Sequence, residues 1–284
     1  MSFGHLKDWI GRVEVQTDRA AAAPLAGLAA TLDHDAPPWP VGELPPLGHW
    51  LHFLPRAPQR EIAEDGHPHK GGFLPPVPLP RRMWAGGDLR FLAPIPLDAE
   101  MHRTSTIEAV EHKTGRSGDM VFVSVLHEIA TDAGVAIRER QDIVYRDAAK
   151  PGEAAPPSPA GADPLPDAGW SRDVTPDPVL LFRYSALTFN GHRIHYDRPY
   201  CREVEGYPGL VVHGPLTATL LMDLVLRNVG GRRIEGFRFR ARRPLFDTAP
   251  FTLNAADRGD GRIEAWAAGP DGAAAMTADV AVAS

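Results

Sequence analysis

The chain has 284 residues, a formal net charge of −6, and 43% hydrophobic residues. This length is enough for one large domain or two modest ones, each with an apolar core. The mildly acidic balance excludes the strongly basic surface typical of nucleic-acid binding proteins, so we expect no nucleic-acid partner.

The N-terminal residues contain no apolar run of signal-peptide length, and no later run approaches the length of a membrane span. The single cysteine, Cys201, rules out an internal disulfide and fits a reducing compartment. We therefore expect a cytoplasmic protein with no membrane partner. An organellar location would need a transit sequence, which is not visible.

Proline-rich segments interrupt the first half of the chain. Residues 36–46 and 72–80 cannot continue helices or central strands, so we expect extended surface connections there. Between them, residues 47–54 (LGHWLHFL) predict a short helix.

Four segments then predict β-strands: residues 89–92, 103–113, 120–129 and 137–145. The intervening sequence 113–118 (KTGRSG) predicts a hairpin turn between two of them.

A shift to Pro, Ala, Gly and Asp after residue 147 predicts a semi-stiff linker. We place an N-terminal domain at residues 1–150, the linker at 151–170 and a C-terminal domain at 171–284. The C-terminal domain carries the candidate chemistry.

The second half predicts a buried helix and several strands. Pro215 suits the first helical position and Gly230-Gly231 the far end, and the residues between them are apolar on nearly every side. Residues 234–241, 263–267 and 276–282 alternate apolar and polar side chains. A helix followed by antiparallel strands, twice in one chain, predicts an α+β fold with each sheet wrapped around a helix.

Two neighbouring segments carry the residues that point to chemistry. Residues 184–197 read YSALTFNGHRIHYD and residues 207–216 read YPGLVVHGPL. They combine an amide, an imidazole five residues later, and a helix start whose free N–H groups favour an anion.

These segments resemble the MaoC-like (R)-specific hydratases and dehydratases, specifically the hydroxyacyl-thioester dehydratase type 2 branch with two hot-dog domains. Residues 82–87 and 141–146 resemble the degenerate first hot-dog of that branch. The resemblance implies a double hot-dog fold, a homodimer, and an acyl-CoA substrate with no separate cofactor.

The catalytic residues implied are Asn190, His195 and Gly214. Asn190 would orient water, His195 would move its proton, and the Gly214 N–H would hold the enolate oxygen. Many relatives carry aspartate where this chain has Asn190, which leaves His195 as the sole ionisable catalyst. The competing interpretations are a turn-capping Asn190 and an ordinary loop histidine.

Substrate contacts are expected from residues around this motif: Tyr184, Arg193, Tyr207, Pro208, Leu210, Val211 and His213. Arg193 is the candidate partner of a free carboxylate on the acyl group, with Arg198 as a weaker one. A surface arginine that points away from the pocket is the alternative for Arg193.

No metal site is expected. His192 and His195 are too close in sequence for a zincin motif, and the pair His67 and His69 lies in a Pro/Gly-rich loop. A basic group in the C-terminal half is interpreted as a solvated strand face rather than a site for coenzyme A phosphates: Arg238, Arg240, Arg242 and Arg243.

We predict a hydro-lyase that reversibly adds water to the double bond of a short branched or dicarboxylic 2-enoyl-CoA, of mesaconyl-C4-CoA or itaconyl-CoA type. Three alternatives stay open: a fatty-acid type (3R)-hydroxyacyl-thioester dehydratase, a hot-dog thioesterase, and a non-catalytic acyl-CoA-binding protein. The sequence leaves open the acyl chain, the choice between coenzyme A and acyl carrier protein, and the direction of the reaction.

Overall fold

The computed structural model describes residues 3–115, 118–147 and 165–283. Part of the predicted hairpin turn, residues 116–117, and most of the predicted linker, residues 151–164, lie outside the described residues. Within these ranges no helix has both the length and the apolar character needed to cross a membrane.

Each half of the chain supplies five strands. The first half contains β1 (Val13–Arg19), β2 (Arg81–Phe91), β3 (Glu100–Gly115), β4 (Gly118–Thr131) and β5 (Gly134–Arg146). The second half contains β6 (Trp170–Val174), β7 (Ile234–Ala241), β8 (Phe251–Asp257), β9 (Arg262–Ala268) and β10 (Ala274–Val282). All the predicted strands are present, and β1, β6 and β8 are additional.

The ten strands form one sheet with the order β1-β3-β4-β5-β2-β7-β10-β9-β8-β6. Both halves therefore use the same strand order, and the antiparallel pairing of β2 with β7 joins them. A Cβ at Gly86 would lie 2.6 Å from the Phe239 carbonyl oxygen, so glycine permits the close approach at this junction. The predicted antiparallel α+β fold, with the same arrangement in each half, is confirmed.

A buried helix lies at the centre of the second half. This helix, α3 (Gly214–Leu226), has every residue from Leu216 to Val225 buried, as its apolar sequence predicts. It packs against β8, β9 and β10 and begins at the predicted position. It ends at Leu226, a turn before the predicted glycine pair.

The corresponding segment of the first half is much shorter. The helix predicted within residues 47–54 is a single 3₁₀ turn, Gly48–Leu51. Leu51 packs in the apolar core. The turn also makes polar contacts, since His49 Nε2 and Trp50 Nε1 both lie within hydrogen-bond distance of the buried Glu139 carboxylate, at 3.0 and 2.9 Å. In the described part of the first half, this segment is therefore much shorter than α3.

The expectation of surface connections is wrong for part of the proline-rich segment 72–80. Val77 and Leu79 are buried and pack with Phe3 and Tyr145 against one face of the sheet. Proline prevents this segment from pairing as a central strand, yet its alternate side chains still face the core.

Two further helices, α1 (Ala22–Thr31) and α2 (Pro178–Leu187), were not predicted and contact each other. Asp177 caps α2, because its Oδ1 accepts from the N–H groups of Val179 and Leu180 at 2.7 and 2.9 Å. The Asp177-Pro178 pair is a helix-start signal that the proline-rich composition before it obscured. Helix α2 matters for function because Tyr184 and Ser185 lie on it.

Candidate active site

His195 lies buried in a short 3₁₀ turn, Arg193–His195, that follows α2. Its Nδ1 is 2.7 Å from the carbonyl oxygen of Val211. A carbonyl only accepts hydrogen bonds, so Nδ1 carries the proton and Nε2 has a free lone pair. Val211 thus fixes the tautomer that a general base needs.

His213 supports His195 from one side. The two imidazole rings stack with centroids 3.6 Å apart and an interplanar angle of 18°. His213 Nε2 is 2.8 Å from Ser185 Oγ on α2. Tyr184 packs edge-on against the same ring, and its hydroxyl lies 3.3 Å from Thr219 Oγ1 on α3. Tyr184 and His213 therefore hold the imidazole and the two helices together.

Asn190 closes the turn that leads into the histidines. Its Oδ1 accepts from the N–H of His192 at 3.0 Å, and its own N–H donates to the Ser185 carbonyl at 2.8 Å. The amide oxygen thus has a structural task, as the turn-capping interpretation proposed. The Asn190 side-chain NH₂ has no partner among the described residues and is available to a ligand.

Gly214 begins α3, directly after His213. Its backbone N–H donates to no acceptor in the described part of the chain. A Cβ at Gly214 would meet only the Trp84 carbonyl oxygen, at 3.9 Å, so packing does not require glycine here. A free N–H at a helix start, with no side chain in front of it, suits a developing oxyanion.

A loop from the first half of the chain covers the turn that carries His195, the candidate catalytic turn. The carbonyl of Asp65 accepts from the Arg193 N–H at 2.9 Å, and the His67 ring lies 4.1 Å from that of His192. Gly66 has φ +90°, and a Cβ there would lie 1.8 Å from the Gly191 carbonyl oxygen. The loop therefore fits only with glycine at this point, and no sequence signal connected it to the motif more than 100 residues later.

Of the predicted substrate-binding residues on the segment 207–213, some contact His195 and the others have different neighbours. Val211 and His213 contact His195 as described, whereas Leu210 belongs to the core. Tyr207 lies beneath the Arg81 guanidinium, 5.0 Å from its ring centroid. Pro208 is exposed on the same loop.

Both candidate carboxylate-binding arginines already have acidic partners. Arg193 binds Asp197 through Nε and an NH₂ nitrogen at 3.0 and 2.7 Å, and it stacks on Tyr200 at 4.1 Å. Arg198 lies 2.5 Å from the buried Asp247 carboxylate. The geometry therefore favours the alternative interpretation of Arg193, in which its side chain points away from the pocket.

Three side chains in the described ranges, Asp65, His67 and His192, offer metal-ligand atoms within 4.8 Å of one another. The sequence gives no signal of this cluster, because Asp65 and His67 lie more than 100 positions before His192. The basic group predicted to form a solvated strand face does so in part: Arg238, Arg240 and Arg242 are exposed, while Arg238 pairs with Asp88 and Arg243 with Asp271.

The family model for hydroxyacyl-thioester dehydratase type 2 matches residues 47–247. The chain belongs to this dehydratase family. It is 51% identical over 282 residues to the mesaconyl-C(4)-CoA hydratase of Chloroflexus aurantiacus, with 99% of each chain covered. The resemblance inferred from the motif is confirmed.

Comparison with solved structures shows the fold of this chain. A MaoC-like dehydratase from Phytophthora capsici aligns with a TM-score of 0.68 and 13% identity, covering 96% of this chain and 95% of that one. A Mycobacterium tuberculosis protein described as having a double hotdog fold aligns with a TM-score of 0.55 and 13% identity, covering 96% of both chains. The predicted double hot-dog architecture is confirmed.

Burial sets the protonation state of the histidines in this family member. It lowers the pKa of His195 to about 4, with the hydrogen bond to Val211 acting in the opposite direction. It also lowers the pKa of His192 to about 2, helped by His67 and His195, and it lowers that of His213. All three imidazoles are neutral at neutral pH, so Nε2 of His195 can accept a proton from water.

We expect kcat/KM to stay nearly constant from pH 8 down to about pH 5. With a pKa of about 4, roughly 90% of His195 is still the free base at pH 5, against about 3% for an unshifted imidazole with its pKa near 6.5. The measurement is a pH profile of kcat/KM, with circular dichroism at each pH to confirm folding. An acid limb centred near pH 6.5 in folded protein would contradict this environment.

Proposed function

We propose that this protein reversibly adds water to the double bond of a short dicarboxylic 2-enoyl-CoA, of mesaconyl-C4-CoA or itaconyl-CoA type. The observation that carries the proposal is the 51% identity to a mesaconyl-C(4)-CoA hydratase over nearly the whole of both chains. The tautomer and burial of His195 supply a base that suits the reaction.

Hydration needs a proton acceptor, an oxyanion site and a proton donor. As the water oxygen attacks the β carbon, one water proton moves to Nε2 of His195 and the thioester becomes an enolate. The Gly214 N–H at the α3 start stabilises the enolate oxygen. The imidazolium of His195 then returns its proton to the α carbon, and the same steps in reverse eliminate water.

Asn190 and His213 act on this centre in different ways. We assign to the Asn190 NH₂ a hydrogen bond to the water or the substrate, since its oxygen is engaged by His192. His213 holds the His195 ring by stacking and is itself held by Ser185. Tyr207, Pro208 and Leu210 belong to the loop that leads to Val211, and we propose that this loop borders the bound thioester.

We expect mesaconyl-C4-CoA or itaconyl-CoA to be hydrated with a kcat/KM at least roughly tenfold above that of crotonyl-CoA, because a site built for a polar group discriminates against a substrate that lacks it. Loss of absorbance of the enoyl thioester measures all three in parallel. A preference for crotonyl-CoA or a longer enoyl-CoA would indicate a fatty-acyl dehydratase instead.

Two additional readouts separate the remaining alternatives. Release of free coenzyme A from a saturated acyl-CoA would indicate a thioesterase. Tight acyl-CoA binding without turnover of any enoyl substrate would indicate a binding protein.

We further propose that the enzyme is a cytoplasmic homodimer that works without a metal ion or a separate cofactor. The single cysteine supports a reducing compartment, and the dimer is suggested by the family resemblance. Light scattering of the purified protein tests the dimer, and a monomeric mass near 30.8 kDa would contradict it. If the enzyme works without a metal ion, its activity should survive dialysis against a chelator.

A further inference from the structure

A cleft of about 280 Å³ lies between residues 63–82 of the first half and residues 200–205 of the second. His67, Lys70, Arg82 and Tyr200 are among the side chains that line it. The cleft adjoins the catalytic turn, since the His67 ring is 4.1 Å from His192, which in turn is 5.4 Å from His195.

Arg82 and Lys70 are the cations of this cleft that have no acidic partner. Neither has a carboxylate within 4.0 Å among the described residues, whereas the neighbouring Arg81 lies 3.1 Å from Glu205. Lys70 Nζ donates to the Leu79 carbonyl at 2.5 Å and lies 5.8 Å from the Tyr145 ring. Arg82 pairs opposite Tyr145 in the β2–β5 ladder. The buried Tyr145 therefore lies close to both cations.

Two of the three carboxylates that line the cleft are bonded to groups other than Arg82 and Lys70. Asp65 is taken by His67, through the His67 N–H at 2.9 Å and Nδ1 at 3.1 Å. Glu205 is taken by Arg81, and Glu64 is exposed. A half-buried guanidinium without a counter-ion is costly, so this arrangement favours an anionic ligand.

The same charges disfavour a metal ion at Asp65, His67 and His192. Positive charge from Arg82 acts on both imidazoles, and together with burial it lowers the pKa values of His67 and His192. A divalent cation would meet the same repulsion. The neutral His192 imidazole can instead donate its N–H to an anion, whereas that of His67 is directed at Asp65.

We propose that this cleft binds an anionic group of the acyl-CoA substrate through Arg82 and Lys70. The inference rests on the proposed function, and two parts of the substrate offer the required chemistry: the free carboxylate of a dicarboxylic acyl group and a phosphate of coenzyme A. The rings of His67, His192 and His195 follow one another at 4.1 and 5.4 Å, so the cleft lies close to the proposed base. An acyl carboxylate is nearer to the reacting double bond than a coenzyme A phosphate is, so we favour the carboxylate as the ligand. Arg82 then takes the specificity role that the sequence had suggested for Arg193.

The test replaces Arg82 with glutamine and Lys70 with glutamine in the full chain. Each variant is expected to raise KM for mesaconyl-C4-CoA by about tenfold to a hundredfold, the size of one charge-assisted hydrogen bond. KM for crotonyl-CoA should change less than about twofold, since that substrate lacks the carboxylate. Arg82→Lys should restore part of the affinity, because it keeps the charge.

Arg90→Gln is the matched control, because Arg90 is an exposed arginine on the same strand. Its kinetic constants should match those of the wild type. Thermal unfolding of every variant checks that the fold is intact. Lys70 is exposed, so Lys70→Gln remains informative if Arg82→Gln does not fold.

A comparison of substrates shows whether the cleft binds the acyl carboxylate or a coenzyme A phosphate. A rise in KM for crotonyl-CoA and mesaconyl-C4-CoA alike, with none for crotonyl-pantetheine, would also support the cleft and assign it to a coenzyme A phosphate. Unchanged constants for every substrate in both variants would overturn the inference. A wild-type enzyme that does not prefer dicarboxylic substrates would contradict the proposed function instead.

Discussion

Replacing His195 with asparagine is expected to lower kcat for hydration by roughly 10²–10⁴-fold, the range for loss of a positioned general base. Asparagine can place its NH₂ near the position of Nδ1 and keep the hydrogen bond to Val211, which is 2.7 Å long in the native protein. It has nothing at the position of Nε2. The substitution therefore removes the proton acceptor while preserving the contact that anchors the turn.

The measurement is kcat with mesaconyl-C4-CoA and crotonyl-CoA, combined with thermal unfolding. His195→Ala provides a comparison that loses the anchor as well, and His5→Asn, at an exposed histidine outside the site, should behave as the wild type. A folded His195→Asn enzyme that keeps more than about a tenth of the wild-type kcat would assign the proton transfer to another group.

Replacing Asp223 with alanine is expected to lower the free energy of unfolding by about 3–5 kcal/mol, the range for breaking a buried ion pair. The Asp223 side chain is 1% exposed on helix α3. Its oxygens contact His34 Nε2 at 2.6 Å, Arg172 at 2.7 Å and Arg227 at 2.9 Å. Alanine would leave the buried His34 and the partly exposed Arg172 and Arg227 without their shared acceptor.

His34 comes from the first half of the chain, whereas Asp223 lies in the second, so this network also ties the halves together. Denaturant unfolding measures the change, and Asp279→Ala is the control. Asp279 is an exposed carboxylate on β10, where surface replacements usually cost less than about 0.5 kcal/mol. Equal stability of the two variants would show that the network contributes no more than a surface charge.

Much of the second half follows from local sequence. Pro215 and the apolar residues after it predict the buried helix, and the alternation in residues 234–241 predicts β7 with its observed bounds. The motif that contains Asn190, His195 and Gly214 carries the resemblance to the family. These features depend on neighbours within one or two turns or on the two-residue period of a strand, so they are present in the linear chain.

Helix α2 shows the limit of composition. Asp177 and Pro178 together form a helix start, but the proline-rich composition before them hides this local signal. In the same way, residues 47–54 have enough apolar residues to suggest a helix, but His49 and Trp50 bind Glu139 from a strand about 90 residues away. The long-range polar contact outweighs the local preference.

The sequence by itself determined the antiparallel α+β plan, the buried helix and the motif from which His195 is proposed as the base. The tertiary structure alone decided which nitrogen of His195 is free, which loop covers it and which arginine lacks a partner. The physical reason is that these properties depend on hydrogen bonds and charges between distant segments. The Val211 carbonyl, the loop around Gly66 and the cleft with Arg82 meet the catalytic turn only when the chain has folded.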